Sequence, residues 1–305
     1  MKQSVSLVLS SGGARGVAHI GVIEELERQG YEITSIAGSS MGALVGGIYA
    51  SGNLKVYRDW MCRLDKRAVF NLVDFTLSRS GLVKGNKIIK ELKKIIPDIN
   101  IEDLPIFYTA VATDIKNKKE VVFEKGSLFE AIRASISIPS VLKPCKFDDM
   151  VLIDGGILNP IPVNRVKRRN NDLLIAVDVN STISSEKQAT AKKLSNQVEN
   201  ELSYLSFIKQ KMYNFFPLLN SGQYNYFTLL SQSASLMIQQ ISAMSIARYK
   251  PDIIIEIPKN SYGPFHFYKS AEIIKAGEIA TQKALLEYQT KKQIYEKSFS
   301  RCLCL

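Results

Sequence analysis

Cysteine and histidine are scarce in this 305-residue chain: four cysteines, Cys62, Cys145, Cys302 and Cys304, and two histidines, His19 and His266. The cysteines have neither the density of a disulfide framework nor the spacing of a metal site, so a reducing, cytoplasmic compartment is expected, and no metal or other cofactor. Long hydrophobic runs are missing too. The first apolar stretch covers only residues 5–9 with Ser6 inside it, too short for a secretory leader and far short of a bilayer span. Repeats, low-complexity tracts and an excess of glycine or proline are also absent, which argues against a solenoid and a disordered chain.

What is present suits a globular enzyme. Hydrophobic residues make up 46% of the chain, enough for a substantial core, and one domain over residues 1–290 with a tail at 291–305 is the simplest division. The net charge of +11 permits attraction to anionic surfaces. Lysines and arginines are scattered, and their densest runs, 116–119 and 166–169, lack the interleaved aromatics of a nucleic-acid platform. Peripheral contact with an anionic membrane is therefore expected and a nucleic-acid partner is not.

Residues 5–9 read as a buried strand, 10–16 as a glycine loop and 17–29 as a helix closing at Gly30; a second strand follows at 33–37. Strand, glycine turn and helix thus occur twice in fifty residues, the pattern of parallel strands joined by helical crossovers. Later strands are expected at 107–112, 120–123, 151–154, 173–179 and 252–257, the first two forming a hairpin through Lys116-Asn117-Lys118. Helices are expected at 54–66, 86–96, 127–135, 185–212, 228–247 and 267–297. The fold class is α/β, with a mostly parallel central sheet flanked by helices.

The second strand runs into Gly38-Ser39-Ser40-Met41-Gly42, followed by the helix-like run 43–50. So tight a turn from strand to helix demands residues without bulk two before and two after the exposed serine, which makes Ser40 the nucleophile rather than Ser39. Acyl transfer also needs a base and donors for an oxyanion. Donors are available in Ser11-Gly12-Gly13-Ala14-Arg15-Gly16, where small residues let backbone N–H groups face open space at a helix N-terminus. Such a loop can also cradle a nucleotide phosphate, but neither the dinucleotide fingerprint nor the P-loop spacing fits residues 12–21, and the loop has no lysine. For the base, His19 reads as a packed helix residue, and His266 sits among aromatics without a carboxylate nearby in sequence. Asp154 is the better candidate. It ends an apolar strand, at the crevice where open α/β sheets bind ligands, and Gly155-Gly156 after it allow close approach.

These blocks resemble the bacterial patatin-like phospholipases, serine acyl hydrolases with a Ser-Asp dyad. Gly12 to Gly16 match the oxyanion loop, Gly38 to Gly42 the elbow, and Asp154-Gly155-Gly156 the Asp-Gly-Gly block, while Arg133-Ala134-Ser135-Ile136-Ser137-Ile138-Pro139 resembles the Ala-Ser-x-x-x-Pro segment before the aspartate. Arg79 to Gly85 and Ala112-Thr113-Asp114 look like the subgroup related to neuropathy target esterase. Ser11 departs from the pattern, standing where the family often has a third glycine. The resemblance implies that Ser40 is the nucleophile, Asp154 its base, and the amides of Gly12, Gly13 and Ala14, with Arg15, the oxyanion donors. It implies cleavage of fatty acyl esters of phospholipids or lysophospholipids. A carboxylesterase or transacylase on the same dyad is the alternative, and a non-catalytic lipid-binding protein a third reading.

Two features stay outside that scheme. Tyr204, Phe207, Tyr213, Phe215, Phe216, Tyr224, Tyr226 and Phe227 concentrate aromatics in a helical segment at about 185–247, read as a cap over the dyad or a membrane contact, or else as ordinary core. The ending Arg301-Cys302-Leu303-Cys304-Leu305 has the outline of a prenylation box, but Cys304 is not aliphatic and a frayed terminus is expected.

Overall fold

The computed structural model describes residues 2–72, 86–139, 141–182 and 226–302. The chain divides into two units, Met1–Ser181 with Ile241–Leu305, and Thr182–Gln240. Of the second unit, the described part is helical, residues 226–240. Of the segment expected as a cap at about 185–247, residues 185–225 lie outside the described residues, with all of its named aromatics except Tyr226 and Phe227, as do residues 79–85.

The first unit is built on strands β1 (Gln3–Leu9), β2 (Tyr31–Ser39), β3 (Phe107–Asp114), β4 (Lys119–Phe123), β5 (Cys145–Phe147), β6 (Met150–Asp154), β7 (Leu173–Ser181) and β8 (Ile253–Pro258). They form one sheet in the order β5-β6-β3-β2-β1-β7-β8, with β4 also paired to β3. From β3 to β8 the neighbours are parallel; β4, β5 and β6 add antiparallel pairs at the β3 end. The described α-helices are α1 (Ala18–Arg28), α2 (Met41–Ala50), α3 (Leu54–Cys62), α4 (Lys66–Leu72), α5 (Asn86–Ile95), α6 (Leu128–Ser135), α7 (Tyr226–Tyr249) and α8 (Ser270–Cys302).

Hydrophobic pattern explains the strand order. In β1 the consecutive residues Val5, Ser6, Leu7, Val8 and Leu9 are all fully buried, as a central strand covered on both faces requires. Leu7 and Leu9 face the large core with α1, α2, α6 and α8, whereas Val8 joins Leu174 and Ala176 beneath the segment around Ile161 and Val163. In β8, Ile253, Ile255 and Ile257 are buried while Ile254 is exposed, the alternation of an edge strand with one solvated face.

Differences from the sequence reading have local causes. The helix expected over 54–66 is two, because Asp65 accepts the Ala68 N–H at 2.7 Å and starts a new helix after α3 has closed. Strand β5 is an addition; three residues with no alternation give a sequence reader nothing to find. Helix α8 begins three residues later than expected, after a 3-10 turn at Phe267–Lys269, and continues through 302 rather than ending at 297, so it runs on into the stretch set apart as a tail. The β3–β4 hairpin forms as expected, with Lys118 at φ +55° in its turn.

Candidate active site

Strand register brings the two key residues together. Ser39 of β2 pairs with Val111 of β3, and Asp154 of β6 pairs with Ala112. The elbow and the aspartate therefore flank adjacent residues of one strand, although 114 positions separate Ser40 from Asp154.

The elbow has the geometry that its spacing implied. Ser40 adopts φ 54° and ψ −119° between the end of β2 and the start of α2, a conformation that costs a non-glycine residue about 1–3 kcal/mol and persists only because its surroundings enforce it. Gly38 and Gly42 are what the turn demands: a Cβ on Gly38 would lie 2.5 Å from the Ala43 nitrogen, and one on Gly42 would lie 2.2 Å from the Leu9 carbonyl oxygen. Both obstacles are backbone and cannot swing aside. The positive end of α2 points at Ser40, favouring negative charge there.

The Ser40 hydroxyl donates its one hydrogen to Asp154 Oδ2, and Asp154 Oδ1 accepts the Gly156 N–H at 2.7 Å. Asp154 is 5% exposed. Burial drives its pKa up to about 6, and the bonds from Ser40 and Gly156 pull it back only partly. A carboxylate with that pKa is ionised near neutrality yet basic enough to accept a proton, as a general base must be. The neighbouring glycines fit closely, Gly155 against the Val111 carbonyl and Gly156 against the Ser11 hydroxyl.

The glycine loop lies beside this pair. Gly13, at φ +56°, lines the same pocket as Ser40. Gly12 abuts Val179, and Gly16 abuts Met41, the residue after the nucleophile. The Ala14 amide donates to the Pro264 carbonyl at 3.0 Å, so it is engaged in this structure. Arg15 turns its guanidinium to the carbonyls of Val179 (3.1 Å) and Tyr262 (3.2 Å) and to Asn180 Oδ1 (2.8 Å), making it a brace for the loop. Burial lowers its pKa and the charge of Asp178 partly restores it. Of the four expected donors, the amides of Gly12 and Gly13 are thus the ones best suited to an oxyanion.

Neither histidine takes part in the Ser40 to Asp154 bond. His19 is fully buried with Nε2 2.9 Å from the Ser10 carbonyl, and burial lowers its pKa to about 4. It braces the glycine loop. His266 Nδ1 accepts the Gly263 N–H at 3.1 Å.

An apolar cavity of about 110 Å³ opens on Ser40 and Gly13. Its walls come from α3, α4 and α5, including Tyr57, Trp60, Leu72 and Leu92, from Leu142, and from Pro264 and Phe265. Such a lining receives hydrocarbon and offers little to a polar substituent.

Two contributors were not read from the sequence. Asn180, at the end of β7, accepts from Arg15 and donates through Nδ2 to the Ser11 carbonyl at 2.5 Å, tying the glycine loop to the sheet. Ser135, in a block noted only for its resemblance, accepts the Ser40 N–H at 2.9 Å. Neither contact has a local sequence signal; both join residues 95 or more positions apart.

Comparisons with known proteins show the family to which the chain belongs. The family model described as patatin-like phospholipase matches residues 7–166. An uncharacterized NTE family protein of Mycobacterium tuberculosis is 32% identical, over 93% of this chain and 92% of that protein. Lysophospholipase NTE1 of the yeast Lodderomyces elongisporus is 29% identical over 96% of this chain and 20% of its own length. Among solved structures, VipD from Legionella pneumophila aligns with a TM-score of 0.48 at 16% identity, over 94% of this chain and 67% of that one. With the matched segment running from β1 past Asp154, this chain belongs to the patatin-like phospholipase family, a family of lipid ester hydrolases.

Proposed function

We propose that this protein hydrolyses fatty acyl esters of phospholipids or lysophospholipids through a Ser40–Asp154 dyad and an acyl-enzyme intermediate. The observation that carries the reading is the Ser40 to Asp154 hydrogen bond at the mouth of an apolar cavity. An acyl chain enters the cavity and sets the ester carbonyl against Ser40. Ser40 Oγ attacks the carbonyl carbon as its proton passes to Asp154, and the oxyanion is held by the amides of Gly12 and Gly13 beside the positive end of α2. When the tetrahedral intermediate collapses, the ester C–O bond breaks and the leaving alcohol takes the proton from Asp154. Water then gives a proton to Asp154 while its oxygen attacks the acyl-serine. The fatty acid leaves and Ser40 recovers its proton.

Among the described residues no helix is long and apolar enough to cross a membrane. With a net charge of +11, we read the enzyme as cytoplasmic and meeting anionic membranes from their surface, an attraction that salt would weaken. The reading is tested by incubating the purified protein and its Ser40→Ala variant with a panel of phospholipids and lysophospholipids and identifying products by mass. Free fatty acid and the deacylated lipid, formed only by the unmodified protein, are expected. Lipids unchanged after incubation would leave a lipid-binding protein, and acyl transfer to an added alcohol in preference to water would make it a transacylase.

A further inference from the structure

The elbow holds Ser40 at a positive φ, and its amide is a donor that α2 cannot satisfy, because the first N–H groups of a helix have no partner within it. Ser40 is 3% exposed, so water does not supply the missing acceptor. The acceptor is the hydroxyl of Ser135, the last residue of α6, which is fully buried. That oxygen takes the Ser40 N–H at 2.9 Å and passes its own hydrogen to the Val111 carbonyl at 2.6 Å. Val111 is the β3 residue in register with Ser39. One side chain therefore links helix, sheet and nucleophile.

The same turn holds the other half of the dyad. The Asp154 N–H donates to the Ser137 carbonyl at 3.0 Å. Arg133 stiffens the turn, donating to the Ser137 hydroxyl at 2.6 Å and to the Lys143 carbonyl at 3.0 Å, and the Ser137 hydroxyl donates back to the Arg133 carbonyl at 2.8 Å. Nucleophile and base are thus suspended from points two residues apart. The hold on Asp154 is backbone to backbone and tolerates a change of side chain. The hold on Ser40 depends on one hydroxyl.

We propose that Ser135 is a positioning residue for the nucleophile: by binding the Ser40 amide it fixes the strained elbow in the orientation that aims Ser40 Oγ at Asp154. This rests on Ser40 being the nucleophile. A hydroxyl that served only to satisfy the Val111 carbonyl would affect stability and leave turnover alone, whereas a misaimed nucleophile loses turnover without losing substrate binding, since displacement by about 1 Å can cost a hundredfold.

The test compares Ser135→Ala and Ser135→Thr with Ser6→Ala, which removes another fully buried hydroxyl, one bonded to Asp172 at 2.9 Å at the opposite end of the parallel strands from the dyad. Ester hydrolysis gives kcat and KM; the rate of labelling by a fluorophosphonate gives nucleophile reactivity. Ser135→Ala is expected to lower kcat and the labelling rate about 10- to 100-fold with KM changed less than about twofold, and Ser135→Thr to recover most of the loss. Ser6→Ala is expected to leave kcat unchanged. Should Ser135→Ala fail to fold, Ser135→Cys, close in volume but a weaker hydrogen-bonding partner, carries the same expectation. A kcat in Ser135→Ala or Ser135→Cys no lower than that of Ser6→Ala overturns the proposal. Mapping the label separates the two readings: no label on Ser40 of the unmodified protein removes the nucleophile itself, while label on Ser40 at equal rates in Ser135→Ala removes only the role of Ser135.

Discussion

Two aspartates of almost equal burial stand at opposite ends of the parallel strands: Asp154, 5% exposed, beside the elbow, and Asp172, 4% exposed, just before β7. Their charges meet different fates. Burial pushes both pKa values upward, but Asp172 is surrounded by the Arg169 amide and the hydroxyls of Ser4, Ser6 and Thr34, which together hold it below its ordinary value. Asp154 has only the Ser40 hydroxyl and the Gly156 amide, and stays raised at about 6. One carboxylate is met by four donors and serves as a structural anchor. The other is left short of donors, which costs stability and keeps it basic. The donors aimed at each carboxylate, together with the weight of burial upon it, thus separate the anchor from the proposed base in this molecule.

The largest effect that could break this contrast is on the nucleophile. Ser40→Ala should lower ester hydrolysis by at least about 10⁴-fold and abolish fluorophosphonate labelling, whereas Ser39→Ala should still label. Label found on Ser39 would undo the assignment. Next is the pH profile. With the base titrating at about 6, kcat/KM measured from pH 4.5 to 8 should be level above pH 7 and fall about tenfold per pH unit well below 6; an acid limb near 4 would mean that Asp154 is not raised. Smaller still, Asp172→Asn should lower stability to urea by about 1–3 kcal/mol at pH 8 through weakened hydrogen bonds, with kcat unchanged. Its contribution is present above the ordinary carboxylate pKa and lost as pH falls through the lowered one, so this deficit should shrink in acid. Least affected in catalysis should be His19→Ala and His266→Ala, each keeping kcat within about tenfold if folded; a loss as large as that of Ser40→Ala would restore a Ser-His mechanism.

Much of this contrast was legible in the sequence on one side only. Asp154 announced itself by ending an apolar strand before two glycines, and Ser40 by glycines at the only spacing that the elbow permits. Both signals are local, set by steric demands within a few residues. Asp172 had no such frame, because apart from Arg169 in the preceding loop its donors come from β1 and β2, 138 or more positions away. Ser135 was visible as a letter in a block but not as the partner of Ser40, and the engagement of the Ala14 amide by Pro264 depends on a loop 250 residues further along. Alternation and apolar runs found the strands of the parallel core, because burial on one or two faces dictates composition there. A three-residue strand such as β5 buries too little to leave a pattern.

The central claim, that Asp154 is a deliberately under-solvated base, is tested most directly by Asp154→Asn measured for hydrolysis and thermal stability in the same preparation at pH 8 and pH 4.5. The raised pKa means that the folded protein prefers the protonated carboxyl, so its stabilising contribution is complete below about 3.8 and is lost as pH rises through about 6. At pH 8 the ionised group therefore costs on the order of 2–3 kcal/mol, less what an asparagine loses in hydrogen bonding. The account predicts that Asp154→Asn loses about 10³- to 10⁴-fold in turnover and yet melts at a higher temperature than the unmodified protein at pH 8, with the difference shrinking toward pH 4.5. Retained turnover, or a melting temperature lowered at pH 8, would contradict it.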